Sequence, residues 1–299
     1  MKLFNGLLAR PVLAWPALAL LFPLTGLSGE NLDETRDMAA DGHVLVDNLA
    51  GSVEVTVWDK AKIGIMGELG DDVEEVEISA TDNGIQIRVR NERNRHDIDG
   101  TDLFLRVPLA ASIEVETVSA DIDINGSEGE SIVLNTVSGD VEAQASPGRL
   151  EIQSVSGEVE FEGSVSRSSV ETVSGDISLG GVHGEIEIST VSGDVSLFAE
   201  EVDRGRFESV SGDMKLDLAV SDSGRLASES MSGDFDLRLP AAQQAGFEVQ
   251  TYSGDIRSDF GESARVSKGP GSMLKYREGS NGALIRLESF SGDIHIRRQ

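Results

Sequence analysis

The residues of this sequence that could most readily do chemistry are acids that recur at a nearly constant spacing. The tripeptide Ser-Gly-Asp, or a close variant, returns every 18 to 21 residues between residues 119 and 253, with its acid two positions after the serine. Such a row of carboxylates could bind divalent cations, which prefer oxygen ligands. It could also support the chain locally, because Asp accepts backbone N–H bonds in turns. The acids of this column are Asp121, Asp140, Glu158, Asp176, Asp194, Asp213, Asp234 and Asp255.

We expect each acid of the column to support its own turn, and we keep weak divalent-cation binding along the column as the alternative. The solenoid calcium pattern Gly-Gly-x-Gly-x-Asp is absent from the sequence. The four histidines, His43, His96, His183 and His295, lack the spacing of metal ligands. The sequence therefore predicts no catalytic, metal-binding or cofactor-binding residue.

Nucleophilic catalysis finds no support in the residue types. The chain contains no cysteine, which excludes a thiolate nucleophile, a Cys zinc site and a disulfide framework. Its many serines belong to the repeat and follow no nucleophile motif. We therefore predict that the protein is not an enzyme. A polysaccharide-acting enzyme is the alternative from another class, because a glycosidase needs only two facing carboxylates and the chain has 53 acids.

The elements that must position the acidic column are short strands on both sides of each corner. With each serine as position 0, positions −6, −4, +3 and +5 are mostly apolar, and position −2 is Ser or Thr. Around Ser192 these positions hold Ile186, Ile188, Val195, Leu197 and Thr190. This alternation has a period of two, as in strands buried on one face, and its parity changes at the corner. We expect Ile188 and Val191 to face inward and Glu187 to face outward.

One repeat of this length cannot bury its own apolar face, but stacked repeats bury a continuous core. The sequence therefore predicts an all-β, single-domain β-solenoid of stacked 18–21-residue rungs over residues 111–299, with a ladder of hydroxyls at position −2. About ten rungs at ~4.8 Å each would make a rod roughly 45–50 Å long. We read residues 50–52 as an early copy of the corner and residues 270–272 as a degenerate copy.

Residues 1–28 have the composition of a secretory signal peptide. Lys2 and Arg10 supply positive charge, an apolar stretch follows, and Gly26 and Ser28 offer small side chains for cleavage. An uncleaved anchor is the alternative, although the apolar run is shorter than the ~20 residues that span a bilayer. We predict export, with no transmembrane span after cleavage. Residues 30–110 are less regular, and we expect a β module that begins and caps the solenoid.

The charge of the chain restricts its partners. The sequence has 25 Lys and Arg against 53 Asp and Glu, a net charge of −28, which argues against a nucleic-acid partner. Residues 110–256 hold 29 acids and seven basic residues, whereas residues 257–299 hold five acids and eight basic residues. In the last rung, His295 and Arg297 would face outward and discourage strand pairing at the end of the rod. The alternative is that the basic end docks on an anionic envelope polymer or lipid.

The repeated Thr-Val-Ser-Gly-Asp series resembles that of a known bacterial family. It occurs at residues 136–140, 172–176 and 190–194, with Val-x-Val-x-x-Trp-Asp at residues 53–59. The series is similar to that of secreted or envelope β-strand-repeat proteins labelled putative adhesins, and the likeness covers roughly residues 40–299. It implies an envelope protein with no catalytic residues to carry over.

Together these observations predict a non-catalytic, exported bacterial envelope β-solenoid in the periplasm or at the cell surface. It would act as a structural or binding surface, with adhesion as one role, for an envelope or surface component that is a polymer or a protein. Two alternatives are the polysaccharide-acting enzyme named above and a periplasmic partner of an envelope-stress system.

Overall fold

The computed structural model describes residues 31–92, 99–265, 271–279 and 282–299, so that the predicted signal peptide and His96 lie outside the described part. The described residues form β-strands and no helix, which confirms the all-β class, and none of them makes a helix long and apolar enough to span a membrane. The strands are β1 (Asn31–Asp37), β2 (His43–Trp58), β3 (Lys62–Glu68), β4 (Val73–Thr81), β5 (Gly84–Asn91), β6 (Thr101–Pro108), β7 (Ser112–Asn125), β8 (Ser131–Ser138), β9 (Val141–Gln144), β10 (Arg149–Ser156), β11 (Val159–Glu162), β12 (Arg167–Ser174), β13 (Ile177–Ser192), β14 (Val195–Ser211), β15 (Met214–Ser232), β16 (Phe235–Leu239), β17 (Ala245–Ser253), β18 (Ile256–Ser258), β19 (Ala264–Arg265), β20 (Ser272–Arg277), β21 (Ala283–Ser291) and β22 (Ile294–Arg298).

Each repeat forms one rung, with a first strand before the Ser-Gly-Asp corner and a second strand after it. In the rung of β10 and β11, for example, the corner lies at Gly157 and Glu158. Neighbouring rungs pair in parallel and in register, as when Ser154 of β10 lies between Thr136 of β8 and Thr172 of β12. The long strands β13, β14 and β15 each contain the second strand of one rung and the first strand of the next. Identical positions of successive repeats therefore form continuous columns along the stack.

The stack contains eleven parallel rungs within the described residues, and it begins earlier than residue 111. Strand β2 pairs in parallel with β7 over most of its length, which aligns Ala50 with Ser119 and Gly51 with Ala120. The predicted early corner at residues 50–52 is therefore confirmed. On the other side of β2 lies a rung made of β5 and β6. The first rung in the sequence is thus the second rung in space.

At the C-terminal end, too, the order of the rungs in space differs from their order in the sequence. The last rung in the sequence is not the last rung of the stack, contrary to our expectation. Strands β21 and β22 insert between the rung of β15 and β16 and the rung of β17 and β18. His295 of β22 is therefore flanked by Asp236 of β16 and Arg257 of β18, while Arg297 lies beside Arg238 of β16 and forms an ion pair with Asp236 at 2.8 Å. Their predicted role at the end of the rod is wrong, because β22 is not an edge strand.

Antiparallel strands cover both strands of the rung at one end of the stack and the first strand of the rung at the other end. Strands β3 and β4 run antiparallel to β6 and β5 at one end, and β20 runs antiparallel to β17 at the other. Ser272 consequently starts a reversed strand opposite Thr251, so residues 271–272 do not form a degenerate parallel corner and that prediction is wrong; Pro270 lies outside the described residues. Covering the terminal parallel strands protects backbone groups that would otherwise be free to pair with another chain.

The interior confirms the predicted columns at positions −6, −4, +3 and +5 in most rungs. Ile188 is 1% exposed, as expected, and Glu187 faces solvent. Val191 is 47% exposed, so its predicted inward orientation is wrong. The alternation that buries positions −4 and −2 necessarily turns position −1 outward. Gly205 departs from the apolar column because a Cβ there would lie 2.9 Å from the ring of buried Phe207.

Candidate functional site

The glycine of each corner is required by the closeness of the next rung. Gly193 has a φ of +140°, and a Cβ on it would lie 2.1 Å from the carbonyl oxygen of Gly175. A Cβ on Gly157, Gly212 or Gly233 would likewise overlap the carbonyl oxygen of the corner glycine in the preceding rung. A side chain at this position would meet rigid backbone, so the glycine column sets how closely the rungs approach.

The acids of the repeat form a ladder between rungs. At seven of the eight steps the backbone N–H of one acidic residue donates to Oδ1 of the Asp in the preceding rung of the stack. These bonds, 2.8–3.0 Å long, run from Asp140 to Asp121, Glu158 to Asp140, Asp194 to Asp176, Asp213 to Asp194, Asp234 to Asp213, Asp293 to Asp234 and Asp255 to Asp293. We call this set the Asp ladder.

The Asp ladder explains the choice of residue at the corner. The carboxylate replaces a carbonyl acceptor where the backbone turns, and a charged acceptor strengthens the bond. Glu158, with one more methylene, makes no such bond to the N–H of Asp176 among the described residues. Each Asp thus supports the corner of the neighbouring rung, whereas we had expected it to support its own. In the described ranges no group of three or more His, Asp or Glu side chains has the arrangement of a metal site.

The hydroxyl column at position −2 is buried but only partly bonded. Thr172 donates to the hydroxyl of Thr190 at 3.0 Å, which is one step of the predicted ladder. The buried hydroxyls of Thr136, Ser154 and Ser209 have no hydrogen-bond partner in the structure. A continuous ladder of hydroxyls is therefore not formed. These small side chains fill the corner side of the core.

Position −1 forms a continuous row of exposed apolar side chains on the outer face of the first strands. Each member is roughly half exposed, from 45% at Val118 to 58% at Phe290, and Tyr252 and Phe290 place their ring centroids 5.9 Å apart. We call this row the apolar stripe. In the order of the stack it comprises Val118, Val137, Val155, Val173, Val191, Val210, Met231, Phe290 and Tyr252.

A shallow groove of about 540 Å³ lies beside the apolar stripe. Val137, Val155 and Val173 form one side of it, and the outward residues of position −3 form the other. The carboxylates in its lining are Glu116 and Glu171. These two residues are three rungs apart, or roughly 14 Å at the usual strand spacing, which is wider than the ~5–9.5 Å between the carboxyl groups of a glycosidase.

A smaller groove of about 190 Å³ lies between β17, β20 and β21. Its two carboxylates, Glu248 and Glu288, are bound to Lys275 at 2.9 Å and to Arg286 at 2.7 Å. The hydrogen bond from Lys275, and then its charge, lower the pKa of Glu248. A general acid of a glycosidase needs a raised pKa, so this groove has the opposite electrostatic character.

Four of the eight basic residues in the C-terminal region form ion pairs within the described residues. Lys275, Arg286 and Arg297 each pair with an acid, and Arg298 binds Glu278 at 2.9 Å while its guanidinium lies over the ring of Phe260. These contacts reduce the positive charge that could attract an anionic polymer.

The described histidines lie on strands that are not adjacent in the stack. His43 of β2 contacts Glu114 at 3.0 Å, His183 lies within β13, and His295 lies on β22 beside Asp236. The fold brings no two of these three together.

Our sequence reasoning missed the apolar stripe, although the signal was present. Position −1 is outward by parity, and yet it holds Val, Met, Phe or Tyr in every copy of the corner from residue 119 onward. Exposed strand positions of a soluble protein are usually polar. A column of apolar residues at an outward position is therefore evidence of a contact surface.

Comparison with known proteins assigns the chain to a family. The Toastrack DUF4097 family matches residues 42–230 and 201–297. The chain belongs to this family, which confirms the resemblance seen in the Ser-Gly-Asp series. No curated protein matches the chain.

Three solved structures are similar over most of their length. A "putative adhesin" from Bacteroides fragilis is 13% identical with a TM-score of 0.44, over 90% of this chain and 97% of the other. One from Parabacteroides distasonis is 11% identical with a TM-score of 0.36, over 89% and 97%. A "putative cell adhesion protein" from Clostridium sporogenes is 9% identical with a TM-score of 0.24, over 90% and 100%.

Proposed function

We propose that this protein is a non-catalytic, exported component of the bacterial envelope whose rod acts as a binding surface, with adhesion as one use of that surface. The observation that carries the proposal is the apolar stripe, which continues over nine rungs on one outer face. Single exposed apolar residues are ordinary on protein surfaces, but contiguous apolar patches indicate interaction sites. A periplasmic partner of an envelope-stress system would use the same surface.

The grooves favour binding over hydrolysis. In the larger groove Glu116 and Glu171 are too far apart to act on one glycosidic bond, and in the smaller groove Lys275 holds Glu248 in its ionised form. The Asp ladder commits one oxygen of seven Asp side chains to a backbone N–H. The polysaccharide-acting alternative therefore has no observation in its favour among the described residues.

Export is the part of the proposal that rests on the sequence alone. Residues 1–28 combine a positive start, an apolar stretch and small residues at the predicted cleavage site. Mass spectrometry of the mature protein should find its N-terminus near Gly29 or Glu30. Recovery of the intact chain, still starting at Met1, from a membrane fraction would contradict cleavage and favour the anchor.

The binding role is tested by affinity capture from an envelope extract with the mature protein as bait. The matched bait carries Val155→Thr, Val173→Thr and Val191→Thr, which remove apolar surface but keep β-branched side chains on the exposed strands. We expect the native protein to capture a component that the triple variant does not. Capture of the same components by both baits would contradict a role for the apolar stripe.

A further inference from the structure

We propose that the apolar stripe docks a cationic amphipathic α-helix that lies along the axis of the stack. This inference rests on the proposed binding function and names the chemistry of the partner. The stripe is one side chain wide and uninterrupted, and it is bordered on one side by position −3, where five of nine residues are glutamate, and on the other side by the Asp ladder. The width and continuity of the stripe restrict the partner to an elongated element with one apolar face. The spacing of the stripe restricts the partner's repeat distance, and the bordering acids favour positive charge on the partner.

The repeat distance of the apolar stripe suits a helix. Adjacent members lie one rung apart, about 4.8 Å, and a helix returns to the same face about every 5.4 Å. An extended strand running in the same direction would place its same-face side chains about 6.6–6.8 Å apart and would lose register after two rungs. Nine members span roughly 38 Å, the length of about 25 helical residues; over that whole length the helix drifts by about one rung, whereas a strand drifts that far within two to three rungs.

The charge around the apolar stripe requires a cationic partner. On one side, position −3 carries Glu116 and Glu171, which form no ion pair within the described part of the chain. Glu229 in the same column forms no ion pair there either, but it interacts electrostatically with Arg206 and Arg286. On the other side, beyond the exposed serines, runs the Asp ladder. A helix with apolar residues in one row and Lys or Arg on both flanks would satisfy both borders.

The same charges disfavour a second copy of this chain as the occupant. If two stripes packed face to face, the glutamates of position −3 would meet either their own counterparts or the Asp ladder of the other copy. Both arrangements bring like charges together, and residues 110–256 already carry 29 acids against seven basic residues. Repulsion of this kind costs affinity and selects against the wrong partner.

The first probe is a synthetic 25-residue peptide with Leu on one helical face and Lys on both flanks. A peptide of the same composition in scrambled order is the control. Titration into the mature protein, followed by fluorescence anisotropy and circular dichroism, should show binding with a gain of helix for the patterned peptide only. Binding should weaken as NaCl is raised, because exposed charges are screened.

Variants then locate the site. Val155→Thr, Val173→Thr and Val191→Thr together should weaken binding at least tenfold, whereas Phe198→Thr, which removes an exposed apolar side chain from the other strands, should change it less than twofold. Thermal melting establishes that each variant is folded.

A second set of variants tests the charge. Replacing Glu116, Glu171 and Glu229 by Gln should weaken binding severalfold and flatten its salt dependence. The control replaces Glu142, Glu160 and Glu162 by Gln, which removes the same charge from the outer face of the second strands.

The inference is overturned if the scrambled peptide binds equally well, or if the two Glu→Gln sets weaken binding equally. A dimer seen by sedimentation, and lost in the Val→Thr triple variant, would overturn it in favour of a second copy. If the peptide fails while envelope capture still depends on the apolar stripe, this inference fails and the proposed binding function stands.

Discussion

Gly193 lies at a corner where two rungs approach so closely that a side chain has no room. Its φ of +140° is one that L-residues rarely adopt, and an added Cβ would lie 2.1 Å from the oxygen of Gly175. A normal contact needs about 1 Å more, and that displacement would strain the bonds from Gly175 N to Ser192 O (3.1 Å) and from Ile177 N to Asp194 O (2.9 Å). Holding an L-residue in this sparsely populated backbone region costs about 1–2 kcal/mol, and each weakened hydrogen bond costs about 1 kcal/mol. Gly193→Ala should therefore lower the free energy of unfolding by about 3–4 kcal/mol.

Equilibrium unfolding in urea, followed by circular dichroism, measures this loss. The matched control is Ser192→Ala at the same corner, where an exposed hydroxyl is removed and no atom is added. We expect the control to change stability by less than about 0.5 kcal/mol. If Gly193→Ala costs less than about 1 kcal/mol, the rungs do not approach as closely as the structure shows, and the explanation of the glycine column is refuted.

The other predictions concern the core, the Asp ladder and one ion pair. Ile188→Asp should destabilise the fold severely, because it buries an unpaired charge. Glu187→Lys, on the outer face, should lower stability by less than about 0.5 kcal/mol. Equal melting temperatures of the two variants would mean that the inward and outward faces are misassigned. Asp194→Asn keeps an acceptor for the N–H of the next rung and should leave stability nearly unchanged, whereas Asp194→Ala should lower it by about 1 kcal/mol. Equal stabilities of the two variants in urea unfolding would show that the Asp ladder does not stabilise the fold. Calcium should raise the melting temperature of the native protein no more than NaCl of equal ionic strength, and a larger rise would indicate cation binding along the ladder. Lys275→Gln should raise the pKa of Glu248, as read by NMR titration of its carboxyl group, because Lys275 lowers that pKa in the folded protein. The stabilisation from this pair is present above the ordinary carboxylate pKa and is lost as pH falls through the lowered one; an unchanged pKa after the substitution would show that the ion pair does not form.

The fold could be predicted from the sequence wherever a repeat encodes its own shape. The columns around Ser192, its glycine and its acid are local patterns. They predicted the strands, the corner and the buried side chains at positions −6, −4, +3 and +5 correctly, but the inward orientation predicted for Val191 is wrong. The sequence predicted that the acids support the corners, but it did not predict that these acids support the neighbouring corners. A single repeat does not show whether an acid bonds within its own corner or to the next rung. Only the stacking distance decides this, and it becomes visible when both rungs are in place.

The order of the rungs could not be predicted from the repeat. The copy that ends at Ser291 has the same apolar columns as the copies before it, so the columns alone do not predict its place between β15 and β17. Its placement depends on the segment after Ser258, which reverses direction and pairs antiparallel in β20. The apolar stripe was overlooked for a different reason: Val191 was assigned by its residue type, when the alternation of the strand already placed it outside.

The most direct test of the central claim, that position −1 is an exposed contact surface, uses the absence of cysteine from the chain. Single substitutions Val173→Cys, Thr172→Cys and Ser178→Cys introduce one thiol each on the apolar stripe, in the core and on the outer face of the second strands. Labelling with a maleimide dye in the native protein should be fast for Val173→Cys and Ser178→Cys and negligible for Thr172→Cys until denaturant is added. Envelope extract that contains the partner should then slow labelling of Val173→Cys and leave Ser178→Cys unchanged. Slow labelling of Val173→Cys in the free protein, or equal protection of the two exposed thiols by the extract, would contradict the account.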